Sequence, residues 1–304
     1  MRLLRLVGLL AGANFAVGRV RGPSTAPLVP ANVDERSVSQ PEGPSRVILL
    51  SRGRGGSTVL TMVLAHFANA SSRMMSHELF GSNHDRMERK ARRLDPTQMM
   101  EDWFAKWAKA TPQARAIGFK WKPYVQSEAY LKAWDWAAAH NVSVLWTTRN
   151  LLNVLISHYK HDVLPAHQPH CQPKDAECIA EHQQVRVTMD TRHLIANLTR
   201  AKETYETDLE SVLEAKGVRF HKVSFDDLFE TNSKSVKHRA ALKAWNGAFQ
   251  FVGLDRVDNY ARIIAVADSF HEKTTPQTQC DALENAEAVR RTLQGTEFEG
   301  LLAC

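Results

Sequence analysis

Only four cysteines occur in 304 residues, Cys171, Cys178, Cys280 and Cys304, and their spacing matches neither a zinc site nor a redox pair. They are ordinary thiols or up to two disulfides. No His, Asp and Glu set has metal-ligand spacing, since His158 and His161 stand together without a partner motif, and no metal is expected. Aromatic residues make up 8% of the chain and are not interleaved with Lys and Arg, so nucleic acid is not expected as a partner. Beyond the N-terminus no stretch is long and apolar enough to cross a bilayer, and no internal repeat is present. Acidic residues are missing altogether before Asp34.

That acid-poor beginning is organised. Arg2 and Arg5 precede an apolar stretch, Leu6–Val17, which is followed by Arg19 and Arg21. The pattern is that of a signal peptide or short signal anchor over residues 1–21, with a cleaved transit peptide as the alternative. The apolar stretch falls short of the ~20 residues of a full membrane span. Residues 22–45, rich in Pro, Ser and Gly, read as a flexible stem, which leaves 46–304 as one folded domain. The net charge of +6 and a pI near 9.2 point to anionic partners without choosing among them. Asn69, Asn141 and Asn197 head formal glycosylation sequons, of which Asn141, leading into a buried strand, is the poorest acceptor.

From Arg46 onward, short apolar runs alternate with longer amphipathic stretches, the signature of an α/β fold. The expected fold class is a three-layer sandwich around a mostly parallel sheet of about five strands. Strands are expected at 47–51, 73–76, 116–121, 142–147 and 218–224. Helices are expected at 57–67, 123–139, 150–161, 187–215 and 235–251.

Two segments carry chemistry. Val47-Ile-Leu-Leu-Ser51 is a buried strand that runs through Arg52-Gly-Arg-Gly-Gly56 into Ser57-Thr58 and an apolar helix. This arrangement aims backbone N–H groups at a phosphate, with Gly53, Gly55 and Gly56 allowing close approach. It is not a Walker A loop, because Gly56 stands where that motif has lysine. In the second segment, Val144-Leu-Trp-Thr-Thr-Arg149 is a strand ending in arginine, and the helix after it carries Ser157 eight positions later. Just over two helical turns can leave a guanidinium and a hydroxyl beside one phosphate monoester.

Together, and in this order, the two segments resemble the 5′-phosphosulfate loop and the 3′-phosphate motif of PAPS-dependent sulfotransferases, PAPS being 3′-phosphoadenosine 5′-phosphosulfate. The resemblance implies a P-loop-type α/β fold and transfer of a sulfuryl group from PAPS, as nucleotide donor, to a carbohydrate or related small acceptor. It implies that Arg52, Gly53, Arg54, Gly55, Gly56, Ser57 and Thr58 hold the 5′ side, with Arg54 catalytic. It further implies that Arg149 and Ser157 hold the 3′-phosphate. Arginine at position 54 is usual in the carbohydrate-modifying branch. Val223-Ser-Phe-Asp-Asp-Leu228 resembles the family's Tyr-Glu-Asp-Leu stretch, and Leu293-Gln-Gly-Thr-Glu-Phe298 resembles a C-terminal stretch of some members. The Arg-Lys-Gly loop of cytosolic members has no counterpart. With the apolar N-terminus, the family implies a Golgi-lumenal type II membrane glycoprotein, and a cleaved organellar transit peptide is the alternative.

The proton acceptor stays open among Glu78, just after the second expected strand, its neighbour His77, and His140, which precedes a strand and so lies at the wrong edge. Lys120 is the candidate for stabilising the transferring group, while Lys122 reads as solvent-facing. Alternatives to sulfuryl transfer are a P-loop kinase or NTPase and a non-catalytic polyanion or glycan binder.

Overall fold

Continuous apolar runs in this chain become strands covered on both faces. β1 (Ser45–Ser51), β2 (Ala116–Trp121) and β3 (Ser143–Thr148) are buried along almost their whole length, whereas β4 (Phe220–Ser224) is mostly half-buried. The structure is a computed structural model that describes residues 43–52, 57–81, 94–122, 128–164, 171, 175–229, 236–270 and 278–304. Among these residues there is one four-stranded sheet of order β2-β1-β3-β4, every pair parallel, with Leu50 level with Trp121 on one side and Trp146 on the other. An all-parallel sheet requires helices as crossovers, and these flank it.

The helices are α1 (Ser57–Phe67), α2 (Ser72–Met75), α3 (Pro96–Ala110), α4 (Glu128–Ala139), α5 (Leu151–Val163), α6 (Ala176–Gln184), α7 (Leu194–Lys202), α8 (Asp208–Ala215), α9 (Phe225–Leu228), α10 (Val236–Phe251), α11 (Tyr260–Phe270) and α12 (Ala286–Leu293). The main core joins Val47–Leu50 of β1 to Leu60, Val63 and Leu64 of α1, Phe119, Trp134, Leu145, Trp245 and Phe249. Each such side chain contributes about 1.5–3 kcal/mol when fully buried. A second cluster packs Leu151, Leu152 and Ile156 of α5 against Met189, Leu194, Leu198, Leu283, Val289 and Phe298, so the C-terminal segment seats α5. Gly118 lets β2 approach β1, because a Cβ there would lie 2.3 Å from the Val47 carbonyl oxygen.

Two expectations change. Residues 73–76 are not a strand: they belong to the helical turn α2, with Met74 and Met75 buried and Ser76 N donating to the Ser72 carbonyl. Four residues with two apolar side chains adjacent gain more from one helical turn over the core than from a ladder. The chain meets the sheet a little later, where Glu78 forms a single parallel bridge with Lys120. The expected helix over 187–215 starts only at Leu194 and is interrupted by a π-helical turn, Glu203–Thr207, because Val187 instead bridges to Leu283. Asn141 leads into the buried strand β3 as expected, itself exposed in a left-handed turn (φ 52°) with Ser143 of its sequon buried. Helices α3, α6, α9, α11 and α12 lie outside the expected helical segments. Residues 1–21 and all of the stem before Gly43 lie outside the described residues, and no helix among the described residues is long and apolar enough to cross a membrane.

Candidate functional site

The chain leaves β1 to form β2 on one side and then returns as β3 on the other. Right-handed crossovers then lie on opposite faces of the sheet, and a crevice opens between the carboxyl ends of β1 and β3. β1 and β3 lead into the two segments that the sequence marks as phosphate-binding candidates. A cleft at this place is lined by Arg52, Thr147, Thr148, Arg149, Val154 and Glu206.

On the β1 side, Ser51 is buried, and among the described residues its Oγ has no hydrogen-bond partner. Arg52 is half-buried, Ser57 is buried at the start of α1, and Thr58 is exposed beside it. No acidic residue occupies the first turn of α1, so nothing within that turn offsets the partial positive charge of the helix N-terminus. Gly53, Arg54, Gly55 and Gly56 lie outside the described residues.

On the β3 side, α5 is capped by Asn150, whose side-chain oxygen accepts from Leu152 N at 2.9 Å and Asn153 N at 3.2 Å. The Asn150 amide nitrogen donates to the Leu301 carbonyl at 2.8 Å, which ties the C-terminal segment to this turn. Asn153 accepts from Gln279 Nε2 at 2.8 Å, a second such tie. Arg149 sits with its guanidinium 5.1 Å from the centre of the Phe225 ring. Burial lowers its pKa, and the nearby charge of Asp226 works against that shift. Asp226 also accepts from Asn150 N at 3.3 Å, so the turn after β4 buttresses the turn after β3. Ser157 is half-buried on α5, three residues beyond Val154, which lines the cleft, so it lies on the same helix face.

The third group lies beyond β2. Glu78 is 3.0 Å from Lys120 Nζ and 2.6 Å from Lys122 Nζ, and all three side chains are largely buried, Glu78 being 18% exposed. Burial raises the Glu78 pKa, but the Lys122 hydrogen bond and the charge and hydrogen bond of Lys120 outweigh it, so the carboxyl lies below its ordinary value. Lys120 is lowered, first by desolvation, with Glu78 opposing. Two ammoniums on one carboxylate leave one positive charge uncompensated among the described residues. Lys122 is therefore an ion-pair partner, contrary to its solvent-facing reading. His77 is exposed and stacks on Trp103 at 4.6 Å, while its carbonyl accepts from Lys120 N at 2.8 Å. His140 follows α4 and stacks on Trp136 ahead of β3, at the opposite edge of the sheet.

Along the carboxyl edge the order is thus Glu78 with its lysines, the β1–α1 turn, the β3–α5 turn, and Asp226. Glu206 was not singled out in the sequence, because an acidic residue in a helical stretch carries no signal. Only the π-helical turn brings it to the cleft, a distortion common at functional sites.

No protein family matches this sequence, and no curated protein does. Among solved structures, a retinol dehydratase in complex with androsterone and inactive cofactor PAP is similar over 85% of this chain and 83% of its own, at 14% identity and a TM-score of 0.27. At so low a TM-score, the site's chemistry rests on this chain's own residues.

Proposed function

We propose that the chain is a sulfotransferase that moves a sulfuryl group from PAPS to a hydroxyl or amine of a carbohydrate or related small acceptor. The observation that supports the proposal is that β1 and β3, the strands that lead into the two segments with phosphate-binding patterns, are neighbours in the sheet and that Arg52 and Arg149 line one cleft, with Glu78 on the far side of β1 from Arg149. A nucleotide with phosphate at both its 3′ and 5′ positions fits that order. The 3′-phosphate meets Arg149 and Ser157, and the 5′-phosphosulfate meets Ser57, Thr58 and the residues of the loop, Arg54 among them. The acceptor arrives from the β2 side.

The acceptor oxygen attacks sulfur as the sulfur–oxygen bond to the 5′-phosphate breaks, and the leaving phosphate keeps the electron pair. Arg54 and the α1 N-terminus stabilise that charge. Glu78 takes the acceptor proton, and Lys120 carries the charge on the transferring group. The lowered Glu78 pKa keeps this base ionised down to moderately acid pH, so the rate has no acid limb above about pH 5, given an ordinary carboxyl near 4.3. A limb near pH 6.5 would move the role to an imidazole such as His77. The scheme needs a nucleotide donor and calls on no metal. The N-terminal segment is proposed to deliver the chain to the Golgi lumen.

The test is calorimetry with 3′-phosphoadenosine 5′-phosphate in the absence of Mg²⁺, together with transfer from labelled PAPS to a glycan panel. Binding should weaken about 10- to 100-fold in Arg149→Ala, because hydrogen bonds to charged groups contribute about 1.5–3 kcal/mol. No binding, or binding that Arg149→Ala leaves unchanged, overturns the proposal. Binding without turnover on any acceptor would make the chain a polyanion binder, and Mg²⁺-dependent binding of ATP in preference would make it a P-loop nucleotide enzyme.

A further inference from the structure

Away from the crevice, α6 and the segment before it bring three soft or borderline ligands together. Cys171, Cys178 and His182 are 6%, 4% and 5% exposed, and their Sγ and ring-nitrogen atoms lie within 4.8 Å of one another. Cys178 and His182 are four residues apart on α6, which puts them on one helix face. Cys171 approaches from the preceding segment and is bonded to Cys178. Asp175 caps α6 through Cys178 N at 3.1 Å, and Lys160 of α5 donates to the His182 carbonyl at 2.9 Å, so the helix carrying two of the three groups is fixed at both ends.

The disulfide joins two of the three groups, and the imidazole lies beside it. Two thiolates and an imidazole are a familiar donor set for zinc, with one position left for water. Sulfur ligands favour zinc-class ions over hard cations. Tetrahedral zinc with bonds of about 2.3 Å to sulfur holds its two sulfurs about 3.8 Å apart. The sulfurs must therefore part on reduction, while the imidazole is already within reach.

We propose that in the reduced chain Cys171, Cys178 and His182 form a binding site for one zinc-class divalent cation, and that the disulfide is the oxidised alternative at the same place. A dithiol reductant supplies two electrons and two protons, breaking the Sγ–Sγ bond to give two thiols as it closes into its own disulfide. Zinc then displaces both thiol protons and bonds both sulfurs and the ring nitrogen. The spacing of Cys171 and Cys178 hides this site from the sequence, because the third ligand is identified only by the helix face. The site is independent of sulfuryl transfer, and the two readings stand or fall separately.

The experiment uses the full chain, reduced with dithiothreitol, freed of it without air, loaded with zinc and dialysed against metal-free buffer. Metal analysis should find one zinc per reduced chain and none on the oxidised chain. The zinc should be lost in Cys178→Ser and in His182→Ala and kept in the Cys280→Ser, Cys304→Ser double variant. Loading with cobalt instead should give thiolate-to-cobalt charge transfer in the near ultraviolet, a readout on the unmutated chain that stays decisive if a variant misfolds. A reduced, folded chain that takes up no zinc, a cobalt spectrum without the thiolate band, or zinc retained in folded Cys178→Ser each overturns the site.

Discussion

Replacing Glu78 by glutamine keeps the shape of the side chain and removes its charge from between Lys120 and Lys122. The two contacts, 3.0 and 2.6 Å long, each correspond to about 5–6 kcal/mol of attraction at an effective dielectric near 20. That gross figure is an overestimate of the loss, because the carboxylate is no longer desolvated. A ceiling also applies: a stranded lysine can shed its proton at pH 7 for about 4–5 kcal/mol, the cost of moving from an ordinary pKa near 10.4. The expected destabilisation is therefore about 2–4 kcal/mol, within the range for breaking a buried pair and trimmed for partial exposure. It should appear as a fall in melting temperature of about 4–15 °C in a domain of this size. The sign with pH follows from the lowered Glu78 pKa. The stabilisation is fully present above the unfolded value of 4.5 and is lost as pH falls through the lower folded value, so wild type and Glu78→Gln converge in acid. Urea melts at pH 7 and at pH 3 measure both effects. A loss under 1 kcal/mol at pH 7, or a gap that does not narrow in acid, would refute the ion-pair reasoning.

Four further outcomes are expected. Glu78→Gln should lower turnover about 10²- to 10⁴-fold while leaving 3′-phosphoadenosine 5′-phosphate binding intact by calorimetry, as for loss of a general base. Glu206→Gln, which removes a negative charge from the cleft shared with Arg52 and Arg149, should tighten that binding several-fold at low salt, with the gain shrinking as salt rises. Asn150→Ala removes the α5 cap and the tie to Leu301 and should cost about 1–2 kcal/mol in urea melts, and Asn150→Asp, which restores the cap acceptor but sets a carboxylate against the Leu301 carbonyl, should recover only part of it. Gly118→Ala forces β1 and β2 apart at the Val47 carbonyl and should cost about 1–3 kcal/mol or more with an unchanged urea m-value.

Strands and helices with strong apolar patterns were legible in the sequence. β2 and α1 have the expected bounds, and β1, β3, α5 and α10 differ by a residue or two at their ends where described. The expected strand at 73–76 failed because four residues are too few for a period to declare itself, and Met74 and Met75 fit either conformation. Helix α3 carries readable signals, Asp95 as its cap and Pro96 in its first turn, within a stretch whose apolar pattern is weak. Of the site, the sequence offered Arg149 and Ser157, Ser57 and Thr58, and Glu78, because each follows a strand or opens a helix. It offered nothing for Glu206, for the pairing of Lys122, or for the ties from Leu301 and Gln279 to α5, since these join positions that the chain separates widely.

The sequence by itself determined the class of fold and singled out two candidate phosphate segments, because both are written in local patterns: apolar runs of strand length, glycines before a hydroxyl pair, and an arginine at a strand end. Only the tertiary structure decided which of these ends become neighbours. The strand order β2-β1-β3-β4 sets two of them on one crevice and leaves Glu78 across β1 between two lysines. Helix α6, by contrast, sets His182 beside the Cys171–Cys178 pair through the four-residue spacing of Cys178 and His182. Burial and charge pairing depend on distances in space, and the spacing of residues along the chain does not encode them.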